Sequence, residues 1–199
     1  AEHFVVVALS CGHGLSSVAN RVLIVAPPNV KLGISAGEGR VSVMVKLPEN
    51  VIEPLGRFQL GASMVREAVR GADAGTLSRP GKEGWSIRDV LVHLSDAELV
   101  RSTRIRMILA EEEPELFNFN EEMWKRRNHY LWRSPEAAIA LFDQLRFTTM
   151  EIIRQLDSRG WERAGIHPED GRLTIAELII RGAAHGEEHA RQIEELRSR

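Results

Sequence analysis

The chain has 199 residues, 43% of them hydrophobic and 27% charged, with a formal net charge of −2. That is enough for one domain with a real core, and the near-neutral balance gives no electrostatic case for binding nucleic acid or an anionic membrane. The one cysteine, Cys11, excludes an intramolecular disulfide and makes a reducing compartment, the cytoplasm, the default expectation. No apolar run approaches the roughly 18 residues of a membrane helix, and no basic segment followed by a hydrophobic stretch marks a signal peptide.

Residues 1 to about 45 read as an N-terminal extension. Phe4–Leu9, Arg21–Ala26 and Val41–Leu47 are β-prone, separated by breaks rich in Gly, Ser and Pro. Cys11 and His13 supply only two ligands, too few for a metal site, so "SCGHG" reads as a loop. The chain begins with Ala, and Met44 leads directly into the helical part, so the residues before it are expected to be dispensable to the fold.

From there the pattern becomes helical, over a domain spanning 46–199. A first helix is predicted over Val51–Arg70, with Val51, Leu55, Phe58, Ala62, Val65 and Val69 at three- and four-residue steps. The Gly/Pro-rich "ADAGTLSRPGKEGW" reads as a loop. A second helix opens at Ser86, whose capping-box partner is Asp89, and runs to about Glu111 with Val90, His93, Ala97, Val100 and Met107 inward. A linker follows, with a short helix around Glu121 to Asn128; its basic run Lys125–Arg127 reads as a solvated face. The third long helix starts after Ser134-Pro135 and continues to about Leu156, with Ala138, Phe142, Leu145, Ile152 and Leu156 on one stripe. After the loop "SRGWERAGIHPEDGR", Thr174 and Glu177 form the capping box of a fourth helix that reaches about Leu196. Four helices of this length in one domain predict an all-α four-helix bundle.

The fourth helix carries Ile175, Leu178, Gly182, His185, His189, Ile193 and Leu196 on one stripe, which turns both histidines inward. His93 lies on the inward stripe of the second helix. His3, His13, His129 and His167 fall in loops, linker or extension. Each buried ring nitrogen without a partner costs roughly 1–3 kcal/mol, a large share of a domain stability of about 5–15 kcal/mol. One divalent metal would satisfy all three rings, because residues i and i+4 on a helix lie about 5–6 Å apart at Cβ. Three histidines leave positions open to water or substrate, the layout of a catalytic site. "HGEEH" is not the zinc-protease motif, since Gly186 stands where that motif has its glutamate.

"GWSIRDVLVHLSDAE" (Gly84–Glu98) and "HPEDGRLTIAELIIRGAAHGEEHARQI" (His167–Ile193) resemble the second helix and the final loop and helix of the DinB superfamily, metal-binding four-helix bundles. The resemblance runs from about Pro48 to Arg197. It is closest to the YfiT-like branch, described as metal-dependent hydrolases and related to bacillithiol S-transferases. It implies a divalent ion, zinc or nickel, on His93, His185 and His189, a small-molecule substrate and a homodimer. Asn120 stands where that branch carries an aspartate, which puts the carry-over of activity in question.

Such a site can activate water for hydrolysis or hold a low-molecular-weight thiol as cosubstrate for transfer. Asp96, one turn from His93, is the first candidate for a general base or for orienting a ligand, its alternative being a solvated helix residue. Glu188 and Glu122 are weaker candidates. The four tryptophans fall at helix ends or in linkers, and Trp85 reads as an anchor for the second helix. Two functions stay open at this point: a metal-dependent thiol S-transferase or hydrolase, and a non-catalytic, stress-associated metal-binding bundle. A chain beginning at Met44 is expected to fold and bind metal as the full chain does, by circular dichroism and elemental analysis; an insoluble product would refute the dispensability of the preceding residues.

Overall fold

The computed structural model describes residues 5–8, 42–45 and 47–199. Two of the three β-prone segments form strands, β1 (Val5–Ala8) and β2 (Ser42–Val45), which pair antiparallel with Val5 opposite Val45 and Ala8 opposite Ser42. Arg21–Ala26, Cys11 and His13 lie outside the described residues.

Four long helices make the bundle: α1 (Glu49–Ala68), α3 (Ile87–Ala110), α5 (Pro135–Ile153) and α7 (Ile175–Arg197). Their starts follow the side-chain chemistry. Ser86 and Asp89 close a capping box on α3, as do Thr174 and Glu177 on α7. Ser134 caps α5, whose first residue is Pro135. The linker helix α4 (Glu121–Arg127) is capped by Asn120, whose side chain accepts from the Met123 N–H at 2.9 Å.

The segments read as featureless loops contain structure. α2 (Ala74–Ser78) and α6 (Ser158–Glu162) are five-residue helices capped by Asp73 and Asp157. They are too short to show a helical period, so only the caps betray them. The last loop also holds an antiparallel hairpin of β3 (Ala164–His167) and β4 (Gly171–Thr174), where Gly171 takes a positive φ of 71°. Among the described residues no helix is long and apolar enough to cross a membrane.

The long helices pack as a ring in which α1 meets α7 and α5, and α3 meets α5 and α7. The diagonal pairs are therefore α1/α3 and α5/α7, which are consecutive along the chain. Crossing a diagonal needs a long connection, so the length of the first and last loops follows from the topology. The arrangement places α3 directly against α7, which the metal trio requires.

The hydrophobic core is split in two. One cluster gathers Phe58, Ile105, Met150, Trp161 and Leu178; the other gathers Ala62, Leu91, Phe142, Ala190 and Ile193. Between them on α5 lies Arg146, 2% exposed, rather than an apolar residue. Its Nε donates to Glu98 Oε2 on α3 at 3.0 Å, Nη1 to the Phe58 carbonyl on α1 at 2.7 Å, and Nη2 to the Gly182 carbonyl on α7 at 2.6 Å. The guanidinium also lies 4.3 Å from the ring centroids of both Phe58 and Phe142. Glycine makes room for it: a Cβ at Gly61 would overlap the guanidinium, and one at Gly186 would sit 3.0 Å from Nη2. Glu98 is fully buried and also accepts from Arg101 Nη1 at 2.8 Å.

This corrects the expected stripe of α5. Leu145 and Ile152 are only half-buried, while Arg146, Thr149, Met150 and Ile153 face inward. Hydrophobicity favours Leu145 over its charged neighbour, but Arg146 is the residue one turn on from Phe142. Met107 and Val69 are likewise half-buried, their places in the core taken by Ile105, Ile108 and Ala68. Arg146→Met is expected to destabilise the fold by about 3–5 kcal/mol, because it removes one of the two cations paired with buried Glu98 and the donors to the Phe58 and Gly182 carbonyls. Adding Glu98→Gln should return part of that loss, a non-additivity readable in urea unfolding.

Candidate metal centre

His93 comes from the middle of α3, and His185 and His189 come from adjacent turns of α7. Their Nε2 atoms converge: His185 Nε2 lies 3.0 Å from His93 Nε2 and 3.0 Å from His189 Nε2. Among the described residues this trio has one ligand atom from each ring, all within 4.8 Å of one another. His93 is 2% exposed and the other two are half-buried.

The protons favour a cation at the centre. His189 Nδ1 donates to Gln192 Oε1 at 2.7 Å, which leaves the His189 Nε2 lone pair facing inward. His185 Nε2 thus touches two ring nitrogens at hydrogen-bonding distance, and a single proton on it points well at only one of them. A divalent ion satisfies all three lone pairs together. The Nδ1 atoms of His93 and His185 are buried and have no partner, so the neutral rings bring no competing charge of their own. Burial, with His189 and Arg101 nearby, pushes His93 down to about 3. Burial and the same cationic surroundings hold His185 well below its ordinary value. Neutral imidazole is the form that binds metal.

Aromatic rings wall the trio. Phe119 stacks on His93 with centroids 5.8 Å apart, and Trp85 meets its edge at 5.6 Å. Trp85 also touches the linker, donating from Nε1 to Glu122 at 2.9 Å and packing its ring against Lys125 at 4.3 Å. It therefore both anchors the start of α3 and bounds the site. Trp161 is fully buried in the core and Trp132 is 82% exposed, so neither forms a rim.

The carboxylates sort differently from the sequence expectation. Asp96 is buried, but its Oδ2 accepts from Arg133 Nη1 at 2.7 Å and the side chain lies beside Tyr130, whose phenol burial and Asp96 together push up. It does not line the cavity that His93 and His185 share. Glu188 is exposed, and Glu122 is held by Trp85. The carboxylate brought to the histidines is Glu121, with Oε2 3.8 Å from His93 Nε2. Asn120 aims it by capping α4, a task asparagine performs as well as aspartate.

Sequence reading missed Glu121 and the three arginines, Arg101, Arg104 and Arg181, that line the same cavity. The arginines had a signal. Arg181 lies one turn before His185, and Arg101 and Arg104 continue the face of His93 at helical spacing, so each histidine stripe runs on into cations. Glu121 had none, because its aim depends on where the linker crosses the bundle.

Comparison with known proteins agrees with this geometry. A family model described as the DinB superfamily matches residues 57–193. A protein of Oceanobacillus iheyensis named as a putative metal-dependent hydrolase is 30% identical over 114 residues, which is 57% of this chain and 65% of that protein, just under two thirds of its length. YfiT of Bacillus subtilis, named likewise, is 25% identical over 137 residues, 68% of this chain and 77% of that protein. The solved structure of Bacillus subtilis YfiT, a probable metal-dependent hydrolase with an unusual four-helix bundle topology, superposes with a TM-score of 0.70 at 22% identity, over 75% of this chain and 87% of that one. A mycothiol-dependent maleylpyruvate isomerase has the same fold at 15% identity, with a TM-score of 0.60 over 74% of this chain and 61% of that one.

The depressed histidines fix a pH dependence. In the unfolded chain these rings take up protons below their ordinary 6.5, while in the fold they resist protonation far lower. The metal-free fold should therefore lose stability as pH falls from 6.5 towards 3. Thermal unfolding across that range is expected to show the loss, and His93→Gln should flatten it.

Proposed function

The chain belongs to the DinB superfamily, and on that premise we propose that it is a metal-dependent enzyme acting on small molecules, as a hydrolase or as a thiol S-transferase. The observation that carries the proposal is the convergence of three imidazole Nε2 atoms from α3 and α7 at one point, beside a cavity of about 160 Å³. Relatives named as metal-dependent hydrolases support it. A divalent ion, zinc or nickel, held by His93, His185 and His189 would supply Lewis acidity toward a water or a thiol.

The chain's own residues do the rest. Gln192 holds the Nδ1 proton of His189 and keeps that ring turned inward. Phe119 and Trp85 shield His93 from bulk water. Glu121 is the carboxylate in position to accept a proton from a water or thiol beside His93. Asp96 acts at one remove, tying α3 to the linker through Arg133.

The discriminating measurement pairs elemental analysis with two assays of an electrophilic substrate, one with a low-molecular-weight thiol and one without. Wild type is expected to carry metal and His185→Ala to lose it. Glu121→Gln should keep the metal and lose turnover by about a hundredfold, at the lower end of general-base contributions. Turnover only with thiol identifies the transferase, and turnover without it the hydrolase. Metal with neither activity would leave the non-catalytic bundle, and equal metal in wild type and His185→Ala would refute the site.

A further inference from the structure

The cavity beside the histidines has a lining of mixed character, which includes Glu121. Ala97, Val100, Phe119, Leu173 and Leu178 give it an apolar body. Arg101, Arg104 and Arg181 line it as well, on the helices that carry the histidines. Two of these cations are already paired: Arg101 Nη1 lies 2.8 Å from Glu98, a carboxylate it shares with Arg146, and Arg181 Nη1 lies 3.0 Å from Asp170. Arg104 is not. Among the described residues it makes no ion pair; its Nη2 donates to the Phe117 carbonyl at 2.6 Å and lies 3.1 Å from His167 Nε2, while its buried Nε has no acceptor.

Arg104 is nonetheless held in place. The β3–β4 hairpin covers this end of the site, and His167, 5% exposed, braces the guanidinium from it. His167 Nδ1 faces Asp170 Oδ2 at 3.3 Å, and the same oxygen holds Arg181. The hairpin thus fixes two of the three cations without neutralising Arg104. Burial and the nearby Arg101 disfavour its charge, against the favourable pull of Asp170, and an arriving anion would offset that cost.

We infer that this cavity recognises a small carboxylic acid, its carboxylate taken by Arg104 with Arg181 and Arg101 beside it, and its apolar part lying against Val100, Phe119, Leu173 and Leu178. The inference rests on the metal-site reading above for where the reacting group lies, but the anion subsite is a property of Arg104 and the hairpin. The fork of a guanidinium matches a carboxylate in geometry, and charge-assisted bonds in a partly dry cavity are the strong ones.

The test titrates the full chain by calorimetry, zinc-loaded and metal-free, with butyrate, its uncharged isostere butyramide, and inorganic phosphate. Butyrate should bind at least about tenfold more tightly than butyramide, the fold-change expected of a charge-assisted hydrogen bond. Arg104→Met should abolish that preference and leave zinc content unchanged. If circular dichroism shows Arg104→Met to be misfolded, Arg181→Gln, on a half-exposed side chain, should still reduce the preference. Equal binding of butyrate and butyramide to the wild type would overturn the inference, as would a preference that survives in the folded arginine variants. Phosphate binding more tightly than butyrate would overturn the carboxylate assignment. A chain that takes no zinc yet prefers butyrate through Arg104 would keep this inference and refute the metal site. Zinc binding without the preference would do the reverse.

Discussion

The structure depends on one buried ion pair, Arg146 with Glu98. The guanidinium of α5 binds a carboxylate of α3 and backbone carbonyls of α1 and α7, so a single side chain touches all four long helices. A buried pair of this kind adds little net stability over a well-packed apolar layer, since desolvating the two charges is costly. What it imposes is register. Each acceptor must stand at one height along its helix, and Gly61 and Gly186 must leave the space that a Cβ would fill.

The functional trio lies in the same polar layer. Gly182, whose carbonyl binds Arg146, is one turn before His185, and Gly186 is the next residue after it. Glu98 is little more than one turn beyond His93 on α3. The pair that fixes the height of α7 against α3 therefore also fixes the height at which the histidines meet. Gly186, which marked the departure from a zinc-protease motif, has a positive reason in the packing: a side chain there would crowd Arg146, whose Nη2 lies 3.0 Å from the place of its Cβ. In this chain the carboxylate nearest the histidines comes from the linker.

Most of the fold was legible because its signals are local. Capping boxes at Ser86 and Thr174, the Ser134-Pro135 start and the three- and four-residue apolar steps located all four long helices to within a few residues. The short helices and the β3–β4 hairpin were not legible, because segments of four or five residues show no period. The third helix was misread at its centre for a different reason. A stripe traced by hydrophobicity skips a buried arginine, and only the partners of Arg146 explain why it is inside.

By itself the sequence determined that the three histidines turn inward, since that follows from the helical period of each helix alone. It also resembled a family whose fold the structure shows. Only the tertiary structure decided which groups surround the ligands. Asp96 is near His93 in sequence, yet it is turned to Arg133. Glu121 is distant in sequence, yet it arrives beside the ring, and His167 on a hairpin braces an arginine of α3. Helical periodicity fixes which way a side chain points from its own axis. It carries no information about what another segment, on a connection between helices, will place opposite.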